Sequence, residues 1–400
     1  MKSTWVKILV IVTSVVAAFL LFQSLFFHIQ VIALNSPQEY RENATILPTE
    51  LLQNSVLPYT RQVMPLYTNV YGVFYNAVMI PVTKVLGNSY AVFRGVNGVF
   101  QFACLWLLYI VLRKKRISVG IALIAVVMWY AQTLQSDFDI LGRPEGLGEL
   151  LFLGSIVIPW MYQFNKKSLL ISVVLSVVAF YTKQYFLLGG ALVPLYVFFF
   201  VSKRKGITYL VGLILLFSVL AVVAQTTMEF YFYNTILFHI KNARYLVSYL
   251  MFQTKAFMLN NIGLLIIIVV QPVFSMRKHL SVHMDYFLFM FIATILVVLG
   301  KLGGHDGNFL SYYTELIGPF LIIVAATYIE KYKNSILIWL CIFANLGVLI
   351  YFSIRQDVIP IRAIETNWQE WTKILNSYRD IYNAPPFAKY LYDAGRPVYD

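Results

Sequence analysis

The sequence predicts an all-α polytopic membrane protein with about eleven transmembrane helices, and three observations predict it. Of the 400 residues, 60% are apolar and only 12% are charged, with a mean hydropathy of +0.71; soluble domains are about 25% charged. Apolar runs recur along the chain at close to the roughly 20 residues that a bilayer crossing needs. The charges gather between these runs, and alternate loops are short and strongly basic while those between them are close to balanced overall. Such a composition excludes a water-soluble enzyme, a disordered chain and a secreted disulfide scaffold.

The first run, Ile8–Phe27, follows Lys2 and Lys7 and ends in Phe26-Phe27-His28. A cleaved signal peptide has a shorter apolar region and a small-residue cleavage site, so this run reads as an uncleaved span with a cytoplasmic N-terminus. Five further runs follow at Tyr90–Leu112, Ile117–Leu134, Leu147–Phe164, Leu169–Tyr181 and Tyr185–Val201. Five more lie at Ile207–Thr226, Leu259–Met276, Tyr286–Gly300, Tyr312–Tyr328 and Ser335–Ser353. Met64–Val82 is also apolar, but Pro65, Asn69, Gly72, Asn76 and Pro81 interrupt it, which suits a re-entrant or interfacial element. Residues 1–353 thus form a transmembrane domain whose first outer loop spans 28–89. The tail, 354–400, carries Trp368, Trp371 and Pro385-Pro386. It is too small for a core of its own, so it docks on the outer face or begins a longer domain.

Threading from an inside N-terminus assigns five short loops to the cytoplasm: Arg113–Arg116, Lys166-Lys167, Lys203–Lys205, Arg277-Lys278 and Lys331 with Lys333. With Lys2 and Lys7, that side holds 15 of the 31 Lys and Arg but only two acids, Asp285 and Glu330. The entire net charge of +13 therefore falls on one face, as the positive-inside rule requires. The excess signals orientation and attraction to anionic lipids, and no nucleic-acid partner is implied. Cys104 and Cys341 both sit inside apolar runs and match no metal spacing, so they read as packing thiols. No internal repeat or inverted pair is visible, which disfavours a two-half transporter.

Candidate chemistry lies in the outer segments. In the first loop, Ser36 and Glu39 form a capping-box spacing with Pro37 at the first helical position, so a short helix is expected to start there and to end near Pro48. Glu39 then has a structural use as the cap. Glu42, one turn on, is a solvated surface acid, a partner of Arg41 or Arg61, or a functional carboxylate. Tyr67, Asn69 and Tyr71 make a polar–aromatic strip, either an interface belt or the wall of a groove for a sugar or lipid head. Asn43-Ala44-Thr45 is a glycosylation sequon, of the kind that arises by chance.

Further on, Asp137, Asp139 and Glu145 share one loop with Arg143. Asp137-x-Asp139 suits either a divalent cation, Mg or Mn, bridging a phosphate, or a salt bridge to Arg143. Glu149 continues into the next run, and a charge at that depth needs a partner or a water-filled cavity. Lys183-Gln184 lies between two close runs, where a lysine either snorkels or meets a phosphate as a point charge. The last loop, with three glycines, His305, Asp306 and Asn308 before Glu315, is a pocket edge or a structural turn.

Taken in order, the acidic first loop running into Leu57-Pro58-Tyr59 and Tyr67–Gly72, Gly87-Asn88-Ser89 with Arg94, Gly142-Arg143-Pro144-Glu145, and Lys183-Gln184 with Gly307-Asn308 to Glu315 resemble the GT-C superfamily of membrane glycosyltransferases. More narrowly, they resemble its bacterial protein mannosyltransferase-like and aminoarabinose-transferase-like members. The resemblance spans residues 8–350 and implies transfer of a sugar from a polyprenyl-phosphate donor to a lipid, glycan or protein acceptor outside the cytoplasmic membrane, with inversion. That family's catalytic carboxylate lies in the first outer loop, often as an adjacent acidic pair. This chain has no such pair there, so the resemblance points to Glu42, with Glu39 second. It also implies Lys183, Arg143, Gln184 or a bound cation as the group that meets the lipid phosphate. The alternatives are a lipid-linked glycan flippase or an O-antigen polymerase or ligase. The near absence of charge at span centres disfavours the flippase, and the early, acidic position of the large loop disfavours the polymerase.

Overall fold

A computed structural model of the chain describes residues 2–61, 63, 70–136, 140–238, 240, 244–275, 285–305, 310–356 and 361–377. Each of the eleven apolar runs forms helix over most of its length, since a backbone in lipid must satisfy its own hydrogen bonds. The helices are α1 (Lys2–Ala33), α2 (Tyr40–Gln53), α3 (Phe74–Leu86), α4 (Tyr90–Lys114), α5 (Val119–Thr133), α6 (Glu145–Met161), α7 (Lys166–Thr182), α8 (Gln184–Val201) and α9 (Lys203–Thr227). They continue with α10 (Val247–Asn260), α11 (Ile262–Ser275), α12 (Tyr286–Leu302), α13 (Tyr312–Lys331), α14 (Ile336–Gln356) and α15 (Ile361–Ser377). Among the described residues the only β pairing is an isolated bridge between Tyr245 and His305.

Six of these helices (α1, α4, α8, α9, α13 and α14) are long and apolar enough to cross a membrane. A seventh crossing is present if α10 and α11, bent by 81° at their junction, count as one. The expected count of eleven exceeds this because α5, α6, α7 and α12 have only 15 to 17 residues. At about 1.5 Å per residue such a helix falls short of a hydrocarbon core about 30 Å thick.

The chain divides into two compact units, each assembled from separated stretches. One is Met1–His28, Ala103–Asp137 and Arg244–Val358; the other is Ile29–Phe102, Phe138–Ala243 and Ile359–Asp400.

In the first unit, the bend between α10 and α11 is held by asparagine. Asn345 donates to the Asn260 carbonyl and accepts from the Gly263 N–H, both at 3.1 Å. Gln132 donates to Asn261, and Asn260 to Gln135, each at 2.8 Å. A broken helix frees backbone groups that lipid cannot satisfy; Asn345 partners two of them, and the glutamines hold the side chains of Asn260 and Asn261. Gly263 permits the close approach: a Cβ there would lie 2.1 Å from the Cys341 carbonyl oxygen. Both cysteines are buried and neither is in a disulfide.

In the second unit, Ile46, Tyr75, Met79, Tyr90, Phe93 and Leu147 pack α2, α3, α4 and α6 around one core. The entry to α2 departs from the expected capping box. The helix begins at Tyr40, its N-cap is Glu39, and the Glu39 carboxylate accepts from the Arg41 N–H at 2.9 Å instead of reaching back to Ser36. The Ser36 carbonyl is taken by Arg94, which fixes residues before the cap outside the helix. Nor does α2 stop before Pro48, which sits within it. Proline removes a ladder hydrogen bond there, and Asn76 binds the flanking turn through the Thr45 carbonyl (2.6 Å) and Thr49 hydroxyl (3.0 Å). Asn43 is fully buried and accepts from the Tyr90 hydroxyl, so the folded chain presents no glycosylation site there. Within the interrupted apolar stretch, Phe74–Leu86 is helical despite Pro81, while residues 64–69 lie outside the described residues.

Candidate functional site

Two linked layers of buried charge occupy the second unit. The inner layer is a clamp between Glu42 and Arg94, both fully buried. Arg94 Nε donates to Glu42 Oε1 at 2.8 Å and Nη2 to Oε2 at 2.7 Å. Its remaining donors bind the carbonyls of Val31 (2.9 Å), Leu34 (2.8 Å) and Ser36 (2.8 Å). Glu42 accepts two more bonds, from the N–H of Gly142 and of Gln38, each at 2.8 Å. All five guanidinium donors are thereby engaged, and both carboxylate oxygens accept twice. This clamp pins the end of α1, the start of α2 and the 140–146 loop to α4. Glu42 is therefore neither a surface acid nor a partner of Arg41 or Arg61; Arg61 instead contacts Glu229.

The outer layer holds Glu39, Tyr71, Arg143, Glu145 and Lys183. Glu145 Oε1 receives both Arg143 Nη2 (2.6 Å) and Lys183 Nζ (2.5 Å). Arg143 also donates to the Tyr71 hydroxyl at 2.6 Å and approaches Glu39 Oε2 at 3.4 Å. Lys183 Nζ lies 5.3 Å from the centre of the Tyr71 ring and 5.0 Å from that of Tyr185, within cation–π range. Oε2 of Glu145 is buried and has no hydrogen-bond partner among the described residues.

Local structure explains these positions. Asn97 on α4 donates to the Leu141 carbonyl and accepts from the Gly146 N–H, so the loop carrying Arg143 is stitched to the helix. Lys183 interrupts α7 and α8 in extended conformation. Gly72 donates to the Thr182 carbonyl at 3.2 Å, and a Cβ on it would lie 1.9 Å from the Tyr181 carbonyl oxygen. Only glycine lets the 70–72 segment run close enough to place Tyr71 over the two cations. Gln184 donates to the Val70 carbonyl at 3.0 Å, and the Tyr59 hydroxyl to that of Tyr71.

The electrostatics separate the carboxylates. Burial pushes the Glu39 carboxyl above its ordinary range, opposed by Arg143 and Arg41. Burial also acts against the Glu145 carboxylate, but Arg143 and Lys183 overcome it and hold its pKa below the usual value. Burial opposes the Arg143 charge too, and Glu145, Tyr71 and Glu39 hold that group firmly cationic. Glu39 is the member with an opening to solvent: its side chain is 15% exposed, against 1% for Glu145 and none for Glu42. Counting Arg41, which lies 3.7 Å from Glu39, three cations face two carboxylates, an excess suited to an anion.

Thus Glu39, Glu42, Tyr71, Arg143, Glu145, Lys183 and Gln184 are brought into one region. His305 and Glu315 belong to the other unit. There His305 pairs with Tyr245 through the backbone bridge and an edge-to-face ring contact, and Glu315 is fully buried at the start of α13. Tyr67, Asn69, Asp137, Asp139 and Asp306 lie outside the described residues, and with them the expected cation site. Among the described residues no three His, Cys, Asp or Glu side chains converge. Arg94 and Asn97 were not among the expected site residues. The signal for Arg94 was its charge within the run Tyr90–Leu112, where an unpaired cation costs about 2.5–3.5 kcal/mol.

Comparison with known proteins returned no match: no family model, no curated sequence and no solved structure is significantly similar to the chain.

Proposed function

We propose that this chain is a membrane glycosyltransferase of the GT-C type, moving a sugar from a polyprenyl-phosphate donor to a lipid, glycan or protein acceptor on the outer side of the cytoplasmic membrane. One observation carries the reading: a partly exposed carboxylate, Glu39, lies 3.4 Å from the buried Arg143, which shares a single Glu145 oxygen with the buried Lys183. In this reading Glu39, and not Glu42, is the general base. Every acceptor site of Glu42 is already used, so it has no lone pair for a substrate proton. The raised affinity of Glu39 for a proton moves it toward the range a base needs near neutral pH.

The proposed step is one displacement. The acceptor hydroxyl or amine gives its proton to Glu39 as its oxygen or nitrogen bonds to the sugar's anomeric carbon. The bond from that carbon to the phosphate oxygen breaks, and the lipid phosphate leaves with the electron pair. Arg143 and Lys183 meet the charge that develops on it. One displacement inverts the anomeric centre. The topology belonging to this reading counts all eleven apolar runs as crossings, the shorter ones accommodated by local bilayer thinning. The basic loops then face the cytoplasm.

The test is sugar transfer by purified protein in liposomes supplied with polyprenyl-phosphate sugars, comparing wild type with Glu39→Gln and Glu42→Gln. Loss of transfer in a folded Glu39→Gln protein supports the assignment. Transfer retained by Glu39→Gln moves the base elsewhere. No transfer by wild type with any donor overturns the enzyme reading, and lipid flipping becomes the next assay.

A further inference from the structure

The tail helix α15 takes no part in the site above. Its sequence sets Ile361, Ile364, Trp368, Trp371 and Leu375 three or four residues apart, the spacing of a single helical stripe. Arg362, Thr366, Gln369 and Lys373 fall on the opposite side. The protein covers this stripe only in part. Within it Leu375 is 5% exposed and Trp371 52%, and Ile374, on the flank beside Trp371, is 48% exposed. One edge of the apolar face thus turns outward.

Two further facts specify what covers that edge. The preceding helix, α14, is long and apolar enough to cross a membrane through Ile354 and ends at Gln356. Four residues separate it from α15, so five extended steps link the two helix ends and they lie at most about 18 Å apart. The start of α15 is thereby held within that distance of the point where α14 ends. The charges of α15, Arg362 and Lys373 against Glu365 and Glu370, cancel. That is unlike a helix drawn to its partner by charge, and it leaves apolar burial as the driving force.

We propose that α15 is an interfacial helix. It lies along the membrane surface on the side where α14 ends, with Trp371 and Ile374 sunk to the boundary between headgroups and acyl chains. Its partner is the lipid bilayer itself, zwitterionic lipid sufficing. Tryptophan suits this depth because its ring is apolar and its N–H still meets headgroups and water. The buried Leu375 anchors the helix to the protein, and the Trp371–Ile374 edge anchors it to lipid. This assignment is independent of the glycosyltransferase reading.

The test uses the full chain carrying Cys104→Ala and Cys341→Ala, reconstituted into phosphatidylcholine vesicles. A single nitroxide label is placed at Ile374→Cys, at Trp371→Cys or, for comparison, at Lys373→Cys. Power saturation measures collisions with oxygen, which concentrates in acyl chains, and with a water-soluble nickel chelate. The expected result is that oxygen exceeds nickel at Ile374 and Trp371, with the order reversed at Lys373. Nickel exceeding oxygen at all three positions means a helix in water and overturns the proposal. Poor access of both reagents at Ile374 and Trp371 means a protein cover and overturns it equally.

Discussion

Arg94→Met is expected to destabilise the protein by about 3–5 kcal/mol, the cost of stranding one member of a buried ion pair. The structure gives reasons to expect the upper part of that range. Arg94 and Glu42 are both fully buried, and the substitution leaves Glu42 with only the two backbone N–H donors of Gln38 and Gly142. It also removes a donor from the carbonyls of Val31, Leu34 and Ser36; Val31 keeps the Leu34 N–H and Ser36 keeps Gln38 Nε2, so the Leu34 carbonyl is the one stranded, at about 1–3 kcal/mol for a buried unsatisfied group. Glu42→Gln is expected to cost a similar amount, because one carboxylate oxygen becomes an NH2 facing donors. The double variant Arg94→Met with Glu42→Met carries no stranded charge, so it should cost less than the sum of Arg94→Met and Glu42→Met, with a coupling of at least about 2 kcal/mol. The assay is SDS-driven unfolding in bicelles, followed by tryptophan fluorescence, on all four proteins. A cost below about 1 kcal/mol for either single methionine variant, or additive costs in the double variant, would refute the reading of Glu42 and Arg94 as a structural clamp.

The site gives three more predictions. Lys183→Met leaves Glu145 paired with Arg143 and should raise the KM for a polyprenyl-phosphate donor tenfold or more, about 1.4 kcal/mol of lost binding, while the protein stays folded; steady-state kinetics in liposomes decides it. Transfer should fall as pH drops through the Glu39 pKa, because the protonated carboxyl cannot accept the acceptor's proton; the midpoint should lie above the ordinary carboxylate range because burial penalises the charged form. Arg41→Met removes a charge that opposes this shift and should move the midpoint of kcat/KM further up, modestly because Arg41 is partly exposed. Away from the site, Asn345→Leu should destabilise the bent helix pair by about 1–3 kcal/mol, since the Gly263 N–H and Asn260 carbonyl lose their shared partner; the same bicelle titration measures it.

Composition and hydropathy alone fix the helical, membrane-associated character of the chain and the position of its apolar helices. Hydropathy is a local sum, so Tyr90–Lys114 and Lys203–Thr227 are legible in any window that covers them. That Glu39, Arg143 and Lys183 would share one outer site was expected only from the resemblance, not from any local pattern. Their pairing was not legible. Glu42 and Arg94 are 52 residues apart, and Lys183 and Glu145 are 38; no spacing rule links residues on different helices. The roles of the first-loop acids were hidden for the same reason. Ser36-x-x-Glu39 looked like a capping box, but Arg94 takes the Ser36 carbonyl and moves the helix start to Tyr40. Glu42, one turn on, looked available until the Gly142 amide, 100 residues away, and Arg94 filled its oxygens. A carboxylate's chemistry depends on which of its lone pairs remain open and on how much water reaches it, and distant segments fix both only when they pack.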